Sequence, residues 1–138
     1  MIVVDTNVVS EVMRIAPSPS LLAWMNEQET VQLYLTSVSV AEICYGLRVL
    51  PEGRRRRNLE GRFEQFIQGA FESRILGFDE AAARIYADIM GYKRDIGRRM
   101  SIPDGQIAAI ARANGFGIAT RNTRDFEDCG LVLVNPFE

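Results

Sequence analysis

Three carboxylates, Asp5, Glu42 and Asp104, are the residues of this chain best placed to do chemistry. Asp5 directly follows a short apolar run, Glu42 lies within an apolar stretch, and Asp104 follows a proline. The 138 residues include no histidine, which excludes Ser-His-Asp and Cys-His catalysis as well as histidine metal sites. An enzyme built from this chain must therefore use carboxylates, hydroxyls, arginines, its single lysine or a hard metal ion.

Each acid also has a simpler structural explanation, and these alternatives stay open at the level of sequence. Asp5 could cap the helix that follows it, although a cap explains only one residue of the run Asp5-Thr6-Asn7. Glu42 could complete a capping box with Ser39. Asp104 could stabilise the first turn of its helix through the helix dipole, which contributes about 0.3–1 kcal/mol.

A fourth polar position follows a strand near the end of the chain, where Asn122 is followed three residues later by Asp125. By itself this pair is explained by a capped turn.

Taken together, however, the acids are expected to meet at the carboxyl ends of parallel strands, where ligands bind in open sheets. Two carboxylates about 4 Å apart repel by roughly 4 kcal/mol at an effective dielectric of about 20, so such a cluster normally holds a cation. Oxygen ligands select Mg²⁺ or Mn²⁺, ions that can activate water against a phosphodiester.

The elements that must position these residues alternate along the chain. Short apolar runs predict strands at 2–4, 31–35, 74–78, 117–120 and 131–134. Helices are predicted to begin near Val8, to cover 21–28, 37–50 and 55–71, to follow a cap at Asp79, and to run from Pro103 to Asn114-Gly115. The helix at 37–50 is apolar nearly all round and is expected to be buried. This alternation predicts one α/β domain over residues 1–138 with a mostly parallel sheet.

Composition limits the surroundings in which this chain can work. No apolar run reaches the roughly 18 residues of a membrane span, the amino terminus is unlike a signal peptide, and two cysteines are too few for a disulfide framework. A cytoplasmic protein with no membrane contact is therefore expected.

The net charge of −2 predicts no broad basic surface. Lys93 is the only lysine among 16 basic residues; the arginines suit phosphate recognition but could equally reflect the base composition of the genome.

Four motifs follow one another in a fixed order: VDTNVVSE at 4–11, SVAEICYG at 39–46, IPDGQIA at 102–108 and ATRNTRDF at 119–126, with VNPF at 134–137. This arrangement, which covers the whole chain, resembles the PIN-domain family and in particular its VapC-type and FitB-like toxins. The resemblance implies a three-layer α/β fold, in which a five-stranded, mostly parallel sheet is flanked by helices on both faces.

The resemblance also implies a site. Asp5, Glu42 and Asp104 would form the acidic metal site, with Asp5 and Asp104 as the direct ligands of first choice. Thr6 would orient the cluster or a water through a hydrogen bond. Family members commonly carry a fourth acid where this chain has Asn122, and a neutral amide can bind a metal only through its oxygen. That departure weakens the case for a second metal ion and leaves the first site intact.

The activity implied by the resemblance is that of the toxin of a type II toxin–antitoxin pair. Such a toxin is an endoribonuclease that hydrolyses RNA with a Mg²⁺- or Mn²⁺-activated water and leaves a 5′-phosphate and a 3′-hydroxyl. Family members typically form homodimers and are silenced by a small antitoxin, which also tethers them to operator DNA. The alternative within the family is a degenerate domain that binds RNA or an antitoxin without cleavage.

Two further classes also place an aspartate after the first strand. An aspartyl-phosphate phosphatase usually has a second acid two residues later, where this chain has Asn7, and a lysine near the phosphate, for which only Lys93 is available. A phospho-receiver module usually has a lysine late in the chain, and none follows Lys93. Both classes therefore fit the sequence less well than a nuclease.

Overall fold

The computed structural model describes residues 1–72 and 74–138, which are organised around a five-stranded sheet. The strands are β1 (Ile2–Val4), β2 (Leu33–Thr36), β3 (Ile75–Leu76), β4 (Gly117–Ala119) and β5 (Leu133–Val134). They lie in the order β3-β2-β1-β4-β5, and every pairing is parallel. The chain winds outwards from β1 to β3 and then returns to the other side of β1, so the topological switch point lies between β1 and β4.

In the described residues, six α-helices accompany these strands, and the predicted α/β fold with a parallel sheet is confirmed. They are α1 (Thr6–Val12), α2 (Pro19–Glu27), α3 (Ser37–Arg48), α4 (Arg54–Phe66), α5 (Glu80–Asp95) and α6 (Ile102–Ala113). A π-helical turn, Ile67–Phe71, continues α4, and 3₁₀ turns cover Thr30–Gln32 and Thr123–Phe126. In the described part of the chain, no helix is long and apolar enough to cross a bilayer.

Apolar side chains cover the sheet on both of its faces. Val3 and Val4 are both fully buried, but successive strand residues point to opposite faces. Val4 belongs to a cluster with Leu35 and Phe63, whereas Val3 belongs to a second cluster with Ile107. The two clusters lie on either side of the sheet, which gives the three-layer arrangement that the sequence predicted.

The predicted burial of the helix at 37–50 is wrong. In α3 only Ser39, Ile43 and Leu47 are buried, whereas Tyr45 is 71% exposed and Val49, the C-cap that follows the helix, is 60% exposed. The apolar composition of the segment misled the prediction, because only one face of the helix packs on the rest of the domain. The other face presents apolar side chains to solvent.

The proposed capping box of Ser39 and Glu42 is also wrong. The helix begins earlier, and its N-cap is Thr36, whose hydroxyl accepts a hydrogen bond from the backbone N–H of Ser39 at 3.1 Å. Ser39 is therefore already inside the first turn, and capping does not account for Glu42. Helix α1 likewise begins at Thr6, two residues before Val8, because Asp5 itself is the cap.

Candidate functional site

The polar residues that follow the strands line one cleft of about 580 Å³. The ends of β1 and β4 and the helices α1, α3 and α6 contribute to it. All the predicted site residues line this cleft: Asp5, Thr6, Glu42, Asp104 and Asn122. The cleft lies at the switch point between β1 and β4, which is where an open parallel sheet is expected to bind its ligand.

Asp5 is buried at the base of the cleft, with 5% of its surface exposed. Its Oδ1 accepts a hydrogen bond from the backbone N–H of Thr6 and its Oδ2 accepts one from the hydroxyl of Thr120, both at 2.8 Å. Burial raises the pKa of Asp5 from 3.8 to about 6; the two hydrogen bonds oppose this shift, and the negative charges of Asp104 and Glu42 add to it. Asp5 is thus both a helix cap and part of a shared acidic field.

Glu42 is exposed, but its carboxylate is oriented by two hydroxyl groups that are hydrogen-bonded to each other, those of Thr6 and Ser39. Thr6 Oγ1 donates to Glu42 Oε1 at 2.8 Å and lies 2.8 Å from Ser39 Oγ. A threonine hydroxyl has a single proton, so Ser39 donates to Thr6 while Thr6 donates to Glu42. The carboxylate of α3 is therefore oriented by a residue at the start of α1.

Asp104 lies in the first turn of α6 and is half-buried. Its backbone N–H donates to the hydroxyl of the N-cap Ser101 at 3.3 Å. Burial raises the pKa of Asp104; hydrogen bonding of the Ser101 side chain to the carboxyl group opposes this, and the negative charges of Asp125 and Glu42 add to it. Asp104 does lie in the first turn of a helix, as the sequence predicted. The neighbouring charges of Asp125 and Glu42 show that it also belongs to the acidic cluster.

Asp125 is the acid that sequence reasoning left out of the site. It lies in the 3₁₀ turn Thr123–Phe126, lines the cleft and raises the pKa of Asp104 through its charge. Asn122 lines the same cleft from the start of this turn. A three-residue spacing corresponds to one 3₁₀ turn, so Asn122 and Asp125 share a side, and this spacing was the available signal.

Thr120 is a second residue that the sequence prediction missed. It is fully buried, and its hydroxyl donates to Asp5 Oδ2 while accepting hydrogen bonds from Asn7 Nδ2 at 3.2 Å and from the backbone N–H of Asn122 at 3.1 Å. One hydroxyl thus connects the end of β4 to the N-cap and the first turn of α1. The expected signal was its place directly after a strand at the switch point.

Glu11 is a buried acid that lines the cleft but is neutralised there. Its carboxylate accepts hydrogen bonds from Arg121 at 3.0 Å, from Arg14 at 3.3 Å and from the backbone N–H of Ser18 at 3.0 Å. Burial acts to raise the pKa of Glu11, but these hydrogen bonds outweigh it and lower that pKa. Arg121 also lies over the ring of Phe137 at 4.0 Å, so its positive charge has a fixed place at the edge of the cleft.

The carboxylate oxygens of the cleft are the kind of ligand atom that a hard divalent cation prefers. Within residues 1–72 and 74–138, no three Asp, Glu, Cys or His side chains lie close enough together to hold a metal ion as they stand. Mg²⁺, however, keeps several waters and is commonly held by one or two carboxylates. The pKa values of Asp5 and Asp104 are raised in part by neighbouring carboxylates, so the cleft has an excess of negative charge that a cation would neutralise. Its acids offer only oxygen ligands, which suits Mg²⁺ or Mn²⁺.

Comparison with known proteins places the chain among well-defined relatives. A family model described as the PIN domain matches residues 2–130. The chain is 44% identical to the VapC ribonuclease Y4jK of Sinorhizobium fredii, over all of this chain and 99% of that protein. It is 38% identical to the toxin FitB of Neisseria gonorrhoeae, over 99% of each chain.

Solved structures agree with these sequence relatives. The structure of FitAcB from Neisseria gonorrhoeae superposes with a TM-score of 0.92 at 38% identity and covers 100% of this chain and 99% of that one. A structure of FitAB bound to a DNA fragment gives the same TM-score and covers 100% and 96% of the two chains. The VapBC-1 structure from nontypeable Haemophilus influenzae, at 18% identity and a TM-score of 0.83, shares the fold.

Proposed function

This chain belongs to the PIN-domain family, and on that basis we propose that it is the ribonuclease toxin of a type II toxin–antitoxin pair. The observation that carries this proposal is the convergence of Asp5, Glu42 and Asp104 on one cleft, where their charges act on one another. Residues 1–138 would form one nuclease domain working in the cytoplasm. The names of relatives, VapC ribonuclease and toxin FitB, support the same activity.

A Mg²⁺ or Mn²⁺ ion would be held by Asp5 and Asp104, with support from Glu42 and from Asp125. Asp125 would supply the fourth negative charge that relatives commonly have where this chain has Asn122. When bound, the ion would contribute positive charge against the phosphodiester and make water a better nucleophile.

Different side chains of the cleft would orient the carboxylates and the substrate. Hydrogen bonds from Thr6 and Thr120 occupy one direction on each oxygen of Asp5, which leaves its other lone pairs available to the cleft. Thr6 holds Glu42, so that this exposed carboxylate can accept a proton from the attacking water. Arg121 would attract the substrate phosphate electrostatically from the edge of the cleft.

The reaction is hydrolysis of an RNA phosphodiester. Water oxygen forms a bond to phosphorus, and the bond from phosphorus to the 3′ oxygen breaks. The water loses its proton to a carboxylate, and the 3′ oxygen leaves as a hydroxyl after taking up a proton. Because the chain has no histidine to activate the 2′-hydroxyl, the products are a 5′-phosphate and a 3′-hydroxyl.

The antitoxin would bind in a groove of about 990 Å³ that adjoins the cleft. Thr6, Arg14 and Glu42 line both the cleft and the groove, so the two are adjacent. The groove combines apolar and basic lining, including Leu47, Leu59, Arg54, Arg55 and Arg62. A segment with apolar and acidic side chains would fit it, and an arginine of that segment could reach the carboxylates. Relatives solved as FitAB and VapBC complexes, some with DNA, support an antitoxin that carries the operator contact.

The homodimer is part of the same proposal. Tyr45 on the outer face of α3 and Val49, its C-cap, are 71% and 60% exposed. These apolar side chains, four positions apart, support a contact surface at this end of the helix. A second copy of the chain would cover them, as is typical of the family.

The second candidate function is a degenerate PIN domain that binds RNA or an antitoxin without cleavage. Two observations favour it: Asn122 replaces an acid, and the carboxylates of the described residues are not already gathered around a metal position. The presence of Asp125 in the same cleft favours cleavage instead.

A cleavage assay distinguishes the two candidates. Purified chain, freed of antitoxin, is incubated with total cellular RNA in Mg²⁺, in Mn²⁺ and in EDTA, and the new ends are mapped. We expect metal-dependent cuts that carry 5′-phosphates, and their loss in Asp104→Asn. Asp88→Asn, which removes an exposed acid of α5 outside the cleft, is the matched control. RNA binding without cuts in either metal would support the degenerate domain.

A further inference from the structure

A further pocket adjoins the acidic cleft and shares no lining residue with the proposed antitoxin groove. It has a volume of about 410 Å³, and we call it the basic pocket. Its charged lining comprises Lys93, Arg98, Arg99 and Arg124 together with Asp104 and Asp125. Because Asp104 and Asp125 also line the cleft, the two spaces are adjacent.

Lys93 is the most unusual residue of the basic pocket, since it is only 2% exposed. Its Nζ donates one hydrogen bond, to the backbone carbonyl of Glu127 at 2.9 Å. Among the residues that the structure describes, no carboxylate forms an ion pair with it. A buried ammonium with three donors and one partner is costly. The carboxyl end of α5 favours a cation there only modestly, so a further anionic partner is expected.

The arginines of the basic pocket differ in whether their charge is already neutralised. Arg98 pairs with Glu127 at 3.0 Å and with Asp128 at 3.3 Å. Arg99 and Arg124 are exposed, and no ion pair involving them occurs in the part of the chain described. Lys93, Arg99 and Arg124 therefore leave three positive charges available in a chain whose net charge is −2.

We propose that the basic pocket binds a backbone phosphate of the RNA strand, adjacent to the phosphate that is cut, through Lys93, Arg99 and Arg124. This inference rests on the proposed ribonuclease function. An acidic cleft repels RNA, so positive charge beside it is needed to hold the strand in place. The guanidinium fork pairs two phosphate oxygens at once, and the pocket and the cleft are adjacent, so one strand could lie across both.

The test measures RNA binding separately from cleavage. A short fluorescein-labelled single-stranded RNA is titrated in EDTA by fluorescence anisotropy, over a series of salt concentrations, with wild type and the double variant Arg99→Gln/Arg124→Gln. Backbone binding does not depend on sequence, so the probe need not be the natural target. Both arginines are exposed, so the double variant is expected to fold. Arg94→Gln, which removes an exposed arginine of α5 outside the basic pocket, is the control.

The double variant should bind more weakly, and its plot of log K against log salt should be shallower by about 0.7, the value for one neutralised phosphate on a single strand. In Mg²⁺ its KM should rise while kcat changes little, because this phosphate does not react. A salt slope equal to that of wild type, or an equal change in Arg94→Gln, would overturn the proposal. If wild type cleaves no RNA but the double variant still shows the shallower slope, the pocket stands and the nuclease function falls.

Discussion

The Thr6 hydroxyl donates a hydrogen bond to Glu42 Oε1 at 2.8 Å, although the two residues are 36 positions apart in the chain. The same hydroxyl accepts from Ser39, one turn before Glu42 on α3. The start of α1 and the exposed acid of α3 are thereby coupled at the mouth of the cleft. A residue that could be taken for a helix-start threonine instead orients a candidate catalytic carboxylate.

Replacing Thr6 by valine should therefore slow RNA cleavage without unfolding the protein. Valine keeps the shape but removes the donor, and misplacement of a catalytic group by about 1 Å can cost roughly 100-fold in rate. We expect a 10- to 100-fold fall in initial cleavage rate. Thr6→Ser, which keeps the hydroxyl, should retain most of the activity. Equal rates for wild type and Thr6→Val would show that this hydrogen bond does not matter.

Asn122 and Asp125, the two polar residues of the turn after β4, should contribute unequally to Mg²⁺-dependent cleavage. Asp125→Asn should weaken Mg²⁺-dependent cleavage more than Asn122→Ala does, because only Asp125 brings negative charge to the cleft. Combining Asn122→Asp with Asp125→Asn restores one acid at a neighbouring position of the same turn and should recover part of the activity. The measurement is cleavage rate against Mg²⁺ concentration for each variant. A larger defect in Asn122→Ala than in Asp125→Asn would contradict this assignment.

Stability without metal should depend on pH through Asp5. Its pKa is about 6 in the folded protein and 3.8 in the absence of the fold, so the folded state binds the proton more tightly. The contribution of Asp5 to the free energy of unfolding is therefore largest below pH 3.8. It falls as the pH rises from 3.8 to 6 and is constant above pH 6. The full difference amounts to about 3 kcal/mol, at 1.36 kcal/mol for each pKa unit.

Asp5→Asn should remove most of this pH dependence. At pH 7 its free energy of unfolding in EDTA should equal or exceed that of wild type. The gain is reduced because the amide has one oxygen and can therefore accept only one of the two hydrogen bonds that Thr6 and Thr120 now donate. Urea unfolding over a series of pH values measures this. If wild type lost no stability relative to Asp5→Asn between pH 4 and 6 in EDTA, the pKa of Asp5 would not be raised in the folded protein.

Divalent metal should stabilise the folded protein. A ligand that binds only the folded state adds about 2.7 kcal/mol at a hundredfold excess over its Kd, so Mg²⁺ or Mn²⁺ should raise the Tm by several degrees. Ca²⁺ should stabilise the protein without supporting cleavage, and Zn²⁺ should be a poorer ligand because the site has no histidine. The shift should shrink in Asp5→Asn and Asp104→Asn. Superimposable melting curves with and without Mg²⁺, in protein free of carried-over metal, would exclude a cation site.

The outer face of α3 should mediate self-association. Val49→Glu places a charge among side chains that a second copy would cover, so it should convert a dimer to a monomer at micromolar concentration. Leu22→Glu, at an exposed leucine of α2, should leave the dimer intact. Light scattering measures both. A wild-type chain that is monomeric under these conditions would rule out the proposed homodimer.

Local sequence determined much of this protein. A β-branched run specifies β1 and puts Asp5 after it; Asp79 caps α5 by accepting from the backbone N–H of Ala82 at 2.9 Å, as the sequence predicted. The alternation of strands and helices was enough to predict the parallel sheet, and the parallel sheet was enough to bring Asp5, Glu42, Asp104 and Asn122 to one edge. These inferences succeed because capping, periodicity and strand order act over a few residues or follow from topology.

The tertiary structure decided which neighbours those residues have. Glu42 is held by Thr6, Asp5 by Thr120 at a separation of 115 positions, and Glu11 is neutralised by Arg121. None of these pairings has a local signal, because a hydrogen bond between distant residues depends on how whole elements pack. For the same reason the apolar composition of α3 could not reveal that one of its faces is exposed, and the spacing of Asn122 and Asp125 could not reveal that Asp125 acts on Asp104.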